Sequence, residues 1–256
     1  MKDLPLIGIA RTLRAELWAR SSWGMRQKRG AELAFWKREI SRLVEWYFGG
    51  TPLYGCPTPS EPQKVKSACG MPIDAMETFL RCFVMPKYVR DLHLTAGSLE
   101  GLRVLDVGCG PFPSLLAFNN CVRIGIDPLV DSYQEAGFPL DAWSKGYTYC
   151  RCKAEDICFP ARSFDAVVSV NAIDHLDDFA EAAREIRRVL RPQGVVRMHV
   201  HYHRSSPCEP IELDDEVFLS HYSWVSGLRK IHEGDSRDMG GTKAGPGERF
   251  IVWGNS

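Results

Sequence analysis

Residues 102–113, LRVLDVGCGPFP, constrain the fold of this 256-residue chain more than any other segment. The first half has the aliphatic pattern of a central strand that is buried on both faces. These aliphatic residues are Leu102, Val104, Leu105 and Val107. Gly108 and Gly110 follow at the end of the predicted strand, where the absence of a Cβ allows a sharp turn and a close approach to a ligand. The segment therefore predicts a parallel sheet with a ligand-binding loop at its edge.

An acidic residue ends the next apolar segment, VRIGID, at Asp127. An acid at the tip of the second strand is placed to accept hydrogen bonds from ribose hydroxyls, as in nucleoside-cofactor folds generally. Together with the glycine loop, Asp127 predicts a cofactor that contains adenosine.

The loop itself separates two classes of such cofactor. A dinucleotide fingerprint, G-x-G-x-x-G, requires a third glycine where this chain has Pro113. Asp106, two residues before the first glycine, would repel a pyrophosphate but suits a cofactor with a cationic amino-acid moiety. These features favour S-adenosylmethionine over a nicotinamide dinucleotide.

At Asp106, Gly108 and Gly110 the chain resembles the class I S-adenosylmethionine-dependent methyltransferases, whose first motif has the form D-x-G-x-G-x-x. Phe112 replaces the usual third glycine of that motif. Lys153, in the segment that resembles the adenine-side loop, stands where many relatives carry an acid. The resemblance implies a set of cofactor contacts along the predicted strand ends. These residues are Asp106, Gly108, Gly110, Pro111, Asp127, Pro128, Ala154, Glu155 and Asn171.

Strands and helices alternate after residue 102, which predicts a parallel sheet with helices on both faces. Strands are expected near 102–107, 122–126, 147–151, 164–170 and 194–201. Segments 227–234 and 248–255 are predicted to form a closing antiparallel hairpin around a glycine-rich stretch at 240–247. The resemblance implies the same architecture, a doubly wound, mostly parallel seven-stranded sheet of the Rossmann-like methyltransferase fold.

The segment before this sheet is predicted to be an N-terminal helical cap. Residues 1–48 show helical periodicity and contain four of the seven tryptophans. Residues 49–72 are rich in proline and glycine and predict a loop, and 73–92 predict a further helix. We therefore divide the chain into a cap with its loop at 1–98 and a cofactor-binding domain at 99–256.

Polar residues follow the fourth predicted strand at Asn171, Asp174 and His175. An imidazole can accept a hydroxyl proton at physiological pH, so His175 is the candidate general base. The alternative is that His175 caps or packs at the start of the following helix. A second alternative makes all three residues ligands of a divalent ion, as in some quinone-precursor O-methyltransferases. Because Asn is a poor ligand for a hard cation, we predict that no metal is bound here.

Three histidines, His199, His201 and His203, alternate at the end of the fifth strand and should point to one face. They span roughly 13 Å by the strand rise, too far to reach one ion without a bend. His201 and His203 are predicted to form part of the acceptor pocket, with His199 packed beneath the helical layer. Glu209 and Glu212 follow in the next loop and are placed to join them.

Composition excludes several classes of function. The 32 basic and 32 acidic residues balance, which argues against a general polyanion-binding protein. The fourth strand ends in Asn171-Ala172-Ile173-Asp174, not in the Asn-Pro-Pro-Tyr motif of nucleic-acid amino-methylation, so no nucleic-acid partner is expected. Nine scattered cysteines fit a reducing cytoplasm better than a disulfide framework. No apolar stretch is long enough to predict a membrane span.

The basic residues are unevenly distributed, because residues 1–42 contain ten Lys or Arg and four acids. The simplest interpretation is a set of solvated helix faces. Contact of this segment with an anionic substrate, a membrane surface or a partner is the alternative, and the oligomeric state is left open.

The leading hypothesis is an S-adenosylmethionine-dependent methyltransferase that acts on a small or medium-sized acceptor, with oxygen favoured as the methylated atom. The aromatic-rich cap favours an apolar or ring-containing acceptor. Two alternatives stay open: a non-catalytic cofactor-binding scaffold of the same fold, and a methyltransferase that is assisted by a divalent metal.

Overall fold

The computed structural model describes residues 22–49, 52–59, 73–206, 209–234 and 247–255, and the side chains from residue 29 onward. The basic helix predicted near residues 9–20 lies outside these ranges. So do residues 60–72 of the predicted loop and nearly all of the glycine-rich stretch at 240–247.

Seven strands form one sheet with the order β3-β2-β1-β4-β5-β7-β6. The strands are β1 (Arg103–Val107), β2 (Val122–Ile126), β3 (Thr148–Cys150), β4 (Phe164–Val170), β5 (Leu190–Tyr202), β6 (Arg229–Gly234) and β7 (Arg249–Gly254). Strands β1 to β5 pair in parallel, whereas β7 runs antiparallel to both β5 and β6. The predicted mostly parallel sheet with a terminal hairpin is confirmed.

The centre of the sheet is built from the aliphatic pattern that marks β1. Leu105 pairs with Ile124 of β2 on one side and with Val167 of β4 on the other. All three side chains are buried. A strand that is covered on both faces has a nearly continuous run of apolar residues. For this reason β1 and β4 are recognisable in the sequence.

The covering helices of the sheet are short except for one. They are α4 (Val130–Glu135), α5 (Leu140–Trp143), α6 (Phe179–Val189) and α7 (Asp215–Tyr222). Helix α6 begins at a side-chain cap, because the carboxylate of Asp178 accepts a hydrogen bond from the Glu181 amide at 3.1 Å. One side of α6, with Ala182 and Ile186, packs into the main core on one face of the sheet.

Strand β5 begins earlier than predicted, at Leu190. Leu190 pairs with Phe164, but the next pair is Ala166 with Val195, so the register shifts between them. Residues 191–194 therefore form a bulge within the strand. Gln193 has φ 62° in this bulge, which accommodates the extra residues.

The segment before the sheet forms helix α1 (Ser22–Tyr47) and a second helical stretch, as predicted. The second stretch comprises α2 (Ile73–Phe79), a π-helical turn (Leu80–Val84) and α3 (Met85–Asp91). The π turn precedes Pro86, which has no amide hydrogen to donate within the helix, so a local widening at this point is expected.

Helix α1 packs on the sheet domain through an aromatic cluster. Trp36 of α1 lies in one buried cluster with Phe112, Tyr133 and Phe138 of the sheet domain. The ring centroids of Trp36 and Phe112 are 6.0 Å apart. The cap and the sheet thus share a core on this face. Within the described ranges, no helix combines the length and the apolar character that a membrane span requires.

Candidate active site

A cleft of about 810 Å³ lies between α1 and the carboxyl ends of β1, β2 and β4. Ligands of open parallel sheets bind at this edge, where the loops that follow neighbouring strands meet. The cleft brings together most of the residues singled out from the sequence. These are Gly108, Gly110, Asp127, Pro128, Ala154, Glu155, Asn171 and His175. Pro111 is not among the lining residues, and its carbonyl accepts a hydrogen bond from the Tyr149 hydroxyl at 3.0 Å.

The loop after β1 requires glycine for two separate reasons. Gly108 has φ 70° and Gly110 has φ 61°, the left-handed region that residues with a Cβ rarely adopt. A Cβ added to Gly108 would also lie 2.4 Å from the Cβ of Ala172, in the segment after β4. The close contact between Gly108 and Ala172 therefore sets how near the two loops approach at the floor of the cleft.

Asp127, at the end of β2, joins the first two loops. Its carboxylate accepts hydrogen bonds from the Gly110 amide at 3.1 Å and from the Leu129 amide at 2.9 Å. Burial raises the pKa of Asp127 to about 6, against the opposing effect of these two amides. Each oxygen accepts one of these bonds, and an ionised carboxylate has further lone pairs to offer. The predicted contact with ribose hydroxyls stays a prediction that this arrangement permits.

Asp106 lies elsewhere than the sequence suggested. Its side chain is fully buried and does not line the cleft. The carboxylate accepts hydrogen bonds from the hydroxyls of Tyr88 and Tyr147, the latter at 3.2 Å. Asp106 therefore ties β1 to α3 and to the segment before β3, whereas the sequence predicted a direct contact with the charged moiety of the cofactor. The side chains of a central strand alternate between faces. A position two residues before a loop glycine therefore does not by itself indicate which way the Asp106 carboxylate points.

We expect the stability of the protein to fall between about pH 4 and pH 7 because of Asp106. Burial raises its pKa from 3.8 to about 7, although the two tyrosine hydroxyls lower it. The folded protein therefore holds a proton that the unfolded chain has already released. This contribution is complete below the unfolded pKa and is lost as the pH rises through the folded pKa. Urea unfolding at several pH values should show a smaller decline for Asp106→Asn than for the native protein.

Asp127 titrates in the same direction, but it is present in both proteins and cancels in the comparison. Asp131→Asn, an exposed carboxylate on α4, is the matched control and should keep the native slope. An identical pH slope for D106N and the native protein would refute the assignment.

The loop after β3 is held to the segment after β4 by the side chains of Lys153 and Glu155. Glu155 accepts hydrogen bonds from the backbone amides of Asp177 and Asp178 at 2.7 and 3.1 Å. Lys153 pairs with the Asp177 carboxylate at 2.7 Å. Ala154, between them, is buried and lines the cleft. The polar ends of Lys153 and Glu155 thus hold the loop in place, and Ala154 presents a small apolar surface to the cleft.

Asn171, directly after β4, has a strained backbone and an unsatisfied side chain. Its φ is 51°, a conformation in which Asn is enriched among residues with a Cβ. The backbone amide of Asn171 donates a hydrogen bond to the His199 carbonyl at 2.9 Å. Among the residues that the structure describes, no donor contacts its buried Oδ1 atom. A buried acceptor without a donor is costly, so Asn171 is suited to receive a hydrogen bond from a bound ligand.

His175 lines the cleft beside three carboxylates. Its Nδ1 atom is 3.9 Å from Glu32 of α1, and its Nε2 atom is 3.9 Å from Asp174 and 3.8 Å from Glu209. The imidazole side chain is 28 % exposed, so it remains accessible from the cleft. His175 thus lies between carboxylates of α1, of the turn after β4 and of the loop after β5.

The histidines of β5 are arranged differently from the prediction. His199, opposite Val170 of β4, lines the cleft, whereas His201 and His203 do not. His201 stacks on Phe250 of β7 with ring centroids 4.4 Å apart. His203 follows the last residue of β5, and its Nε2 atom lies 3.2 Å from Asp174. Val170, the last residue of β4, lines the cleft. His199 pairs with Val170 and is therefore the histidine of β5 that reaches the cleft.

A family model described as a methyltransferase domain matches residues 105–198, which run from β1 into β5 and include the glycine loop, Asp127, Asn171 and His175. This segment is therefore a methyltransferase domain, and it resembles the class I S-adenosylmethionine-dependent methyltransferases. The cofactor of this superfamily is S-adenosylmethionine, and the resemblance noted in the sequence is confirmed.

Individual relatives match this chain over part of their length. It is 33 % identical over 134 residues to the uncharacterized methyltransferase YcgJ of Bacillus subtilis, covering 51 % of each chain. It is 30 % identical over 125 residues to the ubiquinone biosynthesis O-methyltransferase of Rhodopseudomonas palustris, covering 46 % of this chain and 47 % of that protein. The chain thus spans about half the length of the curated relatives it matches.

The fold is also found among solved structures. A chain in the complex of the Haloferax volcanii Trm112 methyltransferase activator superimposes with a TM-score of 0.50 at 18 % identity. The match covers 71 % of this chain and 92 % of that one. At this level of identity the likeness concerns the fold alone.

The residues of the cleft fit S-adenosylmethionine on three observations. Gly108 and Gly110, both with positive φ angles, turn the loop after β1 along the lining of the cleft. The buried Oδ1 atom of Asn171 offers an acceptor to a donor group of the cofactor. The Asp127 carboxylate lies in the cleft with lone pairs beyond the two amide bonds it accepts. Gly108, Asn171 and Asp127 would therefore hold the cofactor in this cleft.

Helix α1 supplies site residues that sequence reasoning did not identify. Glu32 and Trp36 line the cleft, and the indole nitrogen of Trp36 donates a hydrogen bond to the Glu32 carboxylate at 2.7 Å. The two residues are four apart, so they lie on the same face of the helix. That spacing was visible in the sequence, but only the packing of α1 on the sheet shows that this face covers the glycine loop.

Proposed function

We propose that this protein transfers a methyl group from S-adenosylmethionine to an oxygen atom of a small or medium-sized acceptor bound in the cleft. The observation that carries the proposal is that the cofactor loop at Gly108–Gly110 and the imidazole of His175 line the same cleft. One histidine accessible from a cofactor cleft and surrounded by carboxylates is suited to take a proton from a hydroxyl nucleophile.

The bound cofactor supplies an activated methyl group on a sulfonium. The task of the chain is then to hold the acceptor in line with that methyl carbon and to exclude water. Helix α1 covers the cleft from one side, with Phe35, Trp36 and Tyr54 of the cap among the lining residues. These rings favour an acceptor that contains a ring. His175 would accept the hydroxyl proton, and the Glu32 and Glu209 carboxylates would stabilise the resulting positive charge.

The choice of oxygen is supported by the relatives named as ubiquinone biosynthesis O-methyltransferases, one of which is 30 % identical over 125 residues. A hydroxyl nucleophile also explains a base in the cleft, because its proton must leave as the methyl group arrives.

Calorimetric titration with S-adenosylhomocysteine, run beside NADH, tests the cofactor assignment directly. We expect one molecule of S-adenosylhomocysteine to bind per chain and NADH to give no signal. Binding of NADH alone would contradict the proposal. Binding of S-adenosylhomocysteine without turnover on any acceptor in a panel of phenols and other hydroxyl compounds would favour the non-catalytic scaffold.

Replacing His175 by glutamine should reduce the turnover number by about 10²-fold or more while leaving the affinity for S-adenosylhomocysteine near the native value, since loss of a general base typically costs 10²–10⁴-fold. The measurement is S-adenosylhomocysteine release with an acceptor found in the panel. His221→Gln, on α7 and outside the cleft, is the control. Native turnover in the H175Q protein would remove His175 from the mechanism.

A further inference from the structure

Four side chains that could bind a metal converge behind the acceptor side of the cleft. They are Asp174, in the turn after β4, His201 at the end of β5, His203 just after β5, and Glu209 in the loop beyond. One donor atom from each of these residues lies within 4.8 Å of the corresponding atoms of the other three. Neither Asn171 nor His175, which the sequence grouped with Asp174, belongs to this cluster.

The cluster contains a buried carboxylate that is only partly satisfied. Asp174 is fully buried; its Oδ2 atom lies 3.2 Å from His203 Nε2. Within the described part of the chain, its Oδ1 atom has no hydrogen-bond partner. Burying an ionised carboxylate is costly unless a cation or donors compensate both oxygens. The Oδ1 atom of Asp174 is therefore available as a ligand for a cation.

The two imidazoles are held in orientations suited to metal ligation. The Nδ1 atom of His203 lies 2.7 Å from the Arg204 carbonyl, so it donates its hydrogen there and directs Nε2 at Asp174. Histidine ligands of metals are commonly fixed by this kind of bond from the other ring nitrogen to a carbonyl. The ring of His201 is held by its stacking on Phe250, with 11° between the planes.

His201 and His203 lie side by side at the end of β5. Strand β5 ends at Tyr202, so His203 lies outside the regular alternation. The centroids of the two imidazole rings are 4.6 Å apart. His199 lies within the strand and stacks on Phe250 with ring centroids 5.2 Å apart. It does not belong to the cluster.

We propose that Asp174, His201, His203 and Glu209 form a binding site for one divalent transition-metal ion. Two imidazole nitrogens and two carboxylates suit zinc or another late first-row ion better than magnesium, which prefers oxygen ligands alone. The two carboxylates balance the charge of the ion. Metal–ligand distances of about 2.0–2.2 Å place the ligand atoms of a tetrahedral site roughly 3.4 Å apart, so the cluster closes by a small movement on binding.

The position of this site gives it a role at the acceptor end of the cleft. Glu209 lines the cleft, and its Oε1 atom is 3.8 Å from His175 Nε2. An ion held by Glu209 would lie next to the base that we assign to the acceptor hydroxyl, and could bind the oxygen of that acceptor. This consequence rests on the proposed function, whereas the metal site itself does not.

The test is equilibrium dialysis of the metal-stripped, tag-free full chain against Zn²⁺ and, separately, Mg²⁺, with the bound metal counted by mass spectrometry. We expect one Zn²⁺ per chain and no stoichiometric Mg²⁺.

His201→Ala and Glu209→Gln should each weaken Zn²⁺ binding by at least tenfold. His232→Ala, on the edge strand β6 and outside the cluster, is the control and should bind Zn²⁺ like the native protein. Unchanged Zn²⁺ affinity in H201A and E209Q, or no stoichiometric Zn²⁺ in the native chain, would overturn the proposal.

Both test variants avoid the buried pair of Asp174 and His203, whose removal could prevent folding. Titration of the same samples with S-adenosylhomocysteine shows that each variant is folded and separates the two proposals. Zn²⁺ binding without S-adenosylhomocysteine binding would contradict the proposed function and leave the metal site intact. The reverse result would overturn the metal site alone.

Discussion

Replacing Gly108 by alanine is expected to abolish measurable binding of S-adenosylhomocysteine and to destabilise the protein. The new Cβ would lie 2.4 Å from the Cβ of Ala172, and the residue would also have to keep φ 70°. Overpacking of this kind costs about 1–3 kcal/mol, and the left-handed conformation adds roughly 1–2 kcal/mol. Since about 1.4 kcal/mol corresponds to a tenfold change in affinity, relief of the clash by displacement of the loop should reduce binding by at least two orders of magnitude.

Two further variants separate the causes. Gly101→Ala has a similar φ of 76° but no atom within 4 Å of its added Cβ, so it reports the conformational strain alone. It should lower stability slightly and leave binding intact. The double variant Gly108→Ala with Ala172→Gly removes the opposing methyl group and should recover part of the lost affinity. Calorimetric titration and urea unfolding measure both effects. Native affinity in the single G108A variant would show that the loop does not approach a ligand closely.

Replacing Trp36 by alanine should loosen α1 from the sheet and weaken cofactor binding at the same time. Trp36 is 7 % exposed and packs among Phe112, Tyr133 and Phe138 at centroid distances of 6.0 to 6.3 Å. Its ring also lies close above Gly110. Truncation of a buried tryptophan typically costs about 3–5 kcal/mol, because a cavity is left behind. The free energy of unfolding should fall by this amount in urea titrations.

The affinity for S-adenosylhomocysteine should fall with it, since the cleft loses the side chain that covers its glycine loop. Trp224→Ala is the control, because Trp224 is only partly buried, lies outside the cleft and packs beneath Arg187. It should lose less stability and keep the native affinity. A W36A protein that unfolds earlier but binds with native affinity would restrict Trp36 to a structural role in the cap.

The sheet could be predicted closely from the sequence because its strands are short, apolar and separated by helices. Strand β4 was expected at 164–170 and spans Phe164–Val170. The hairpin expected at 227–234 and 248–255 forms β6 and β7. Burial on both faces leaves a pattern in the sequence that depends little on long-range contacts. The cleft position of Gly108 and Asp127 followed from the same pattern, since loops that follow adjacent parallel strands meet at one edge.

The roles of the polar side chains could not be predicted in the same way. Asp106 bonds to tyrosines from α3 and from the segment before β3, a contact that no local pattern indicates. His201 depends on the ring of Phe250, almost fifty residues later, and on the end of β5 at Tyr202. On the spacing of a straight strand the three histidines cannot share one ion, and His201 and His203 lie in the cluster without His199. Tertiary packing decides the outcome.

The order of the strands also determines when the cluster around His201 can be completed during synthesis. Strand β7 is the last of the seven in the chain, yet it lies between β5 and β6 in the sheet. Within the described structure β6 pairs only with β7, so β6 leaves the ribosome without its partner. Pairing of distant segments is slow and leaves an unpaired edge exposed. The five parallel strands can therefore assemble early, whereas the surroundings of His201 form only when β7 enters the sheet.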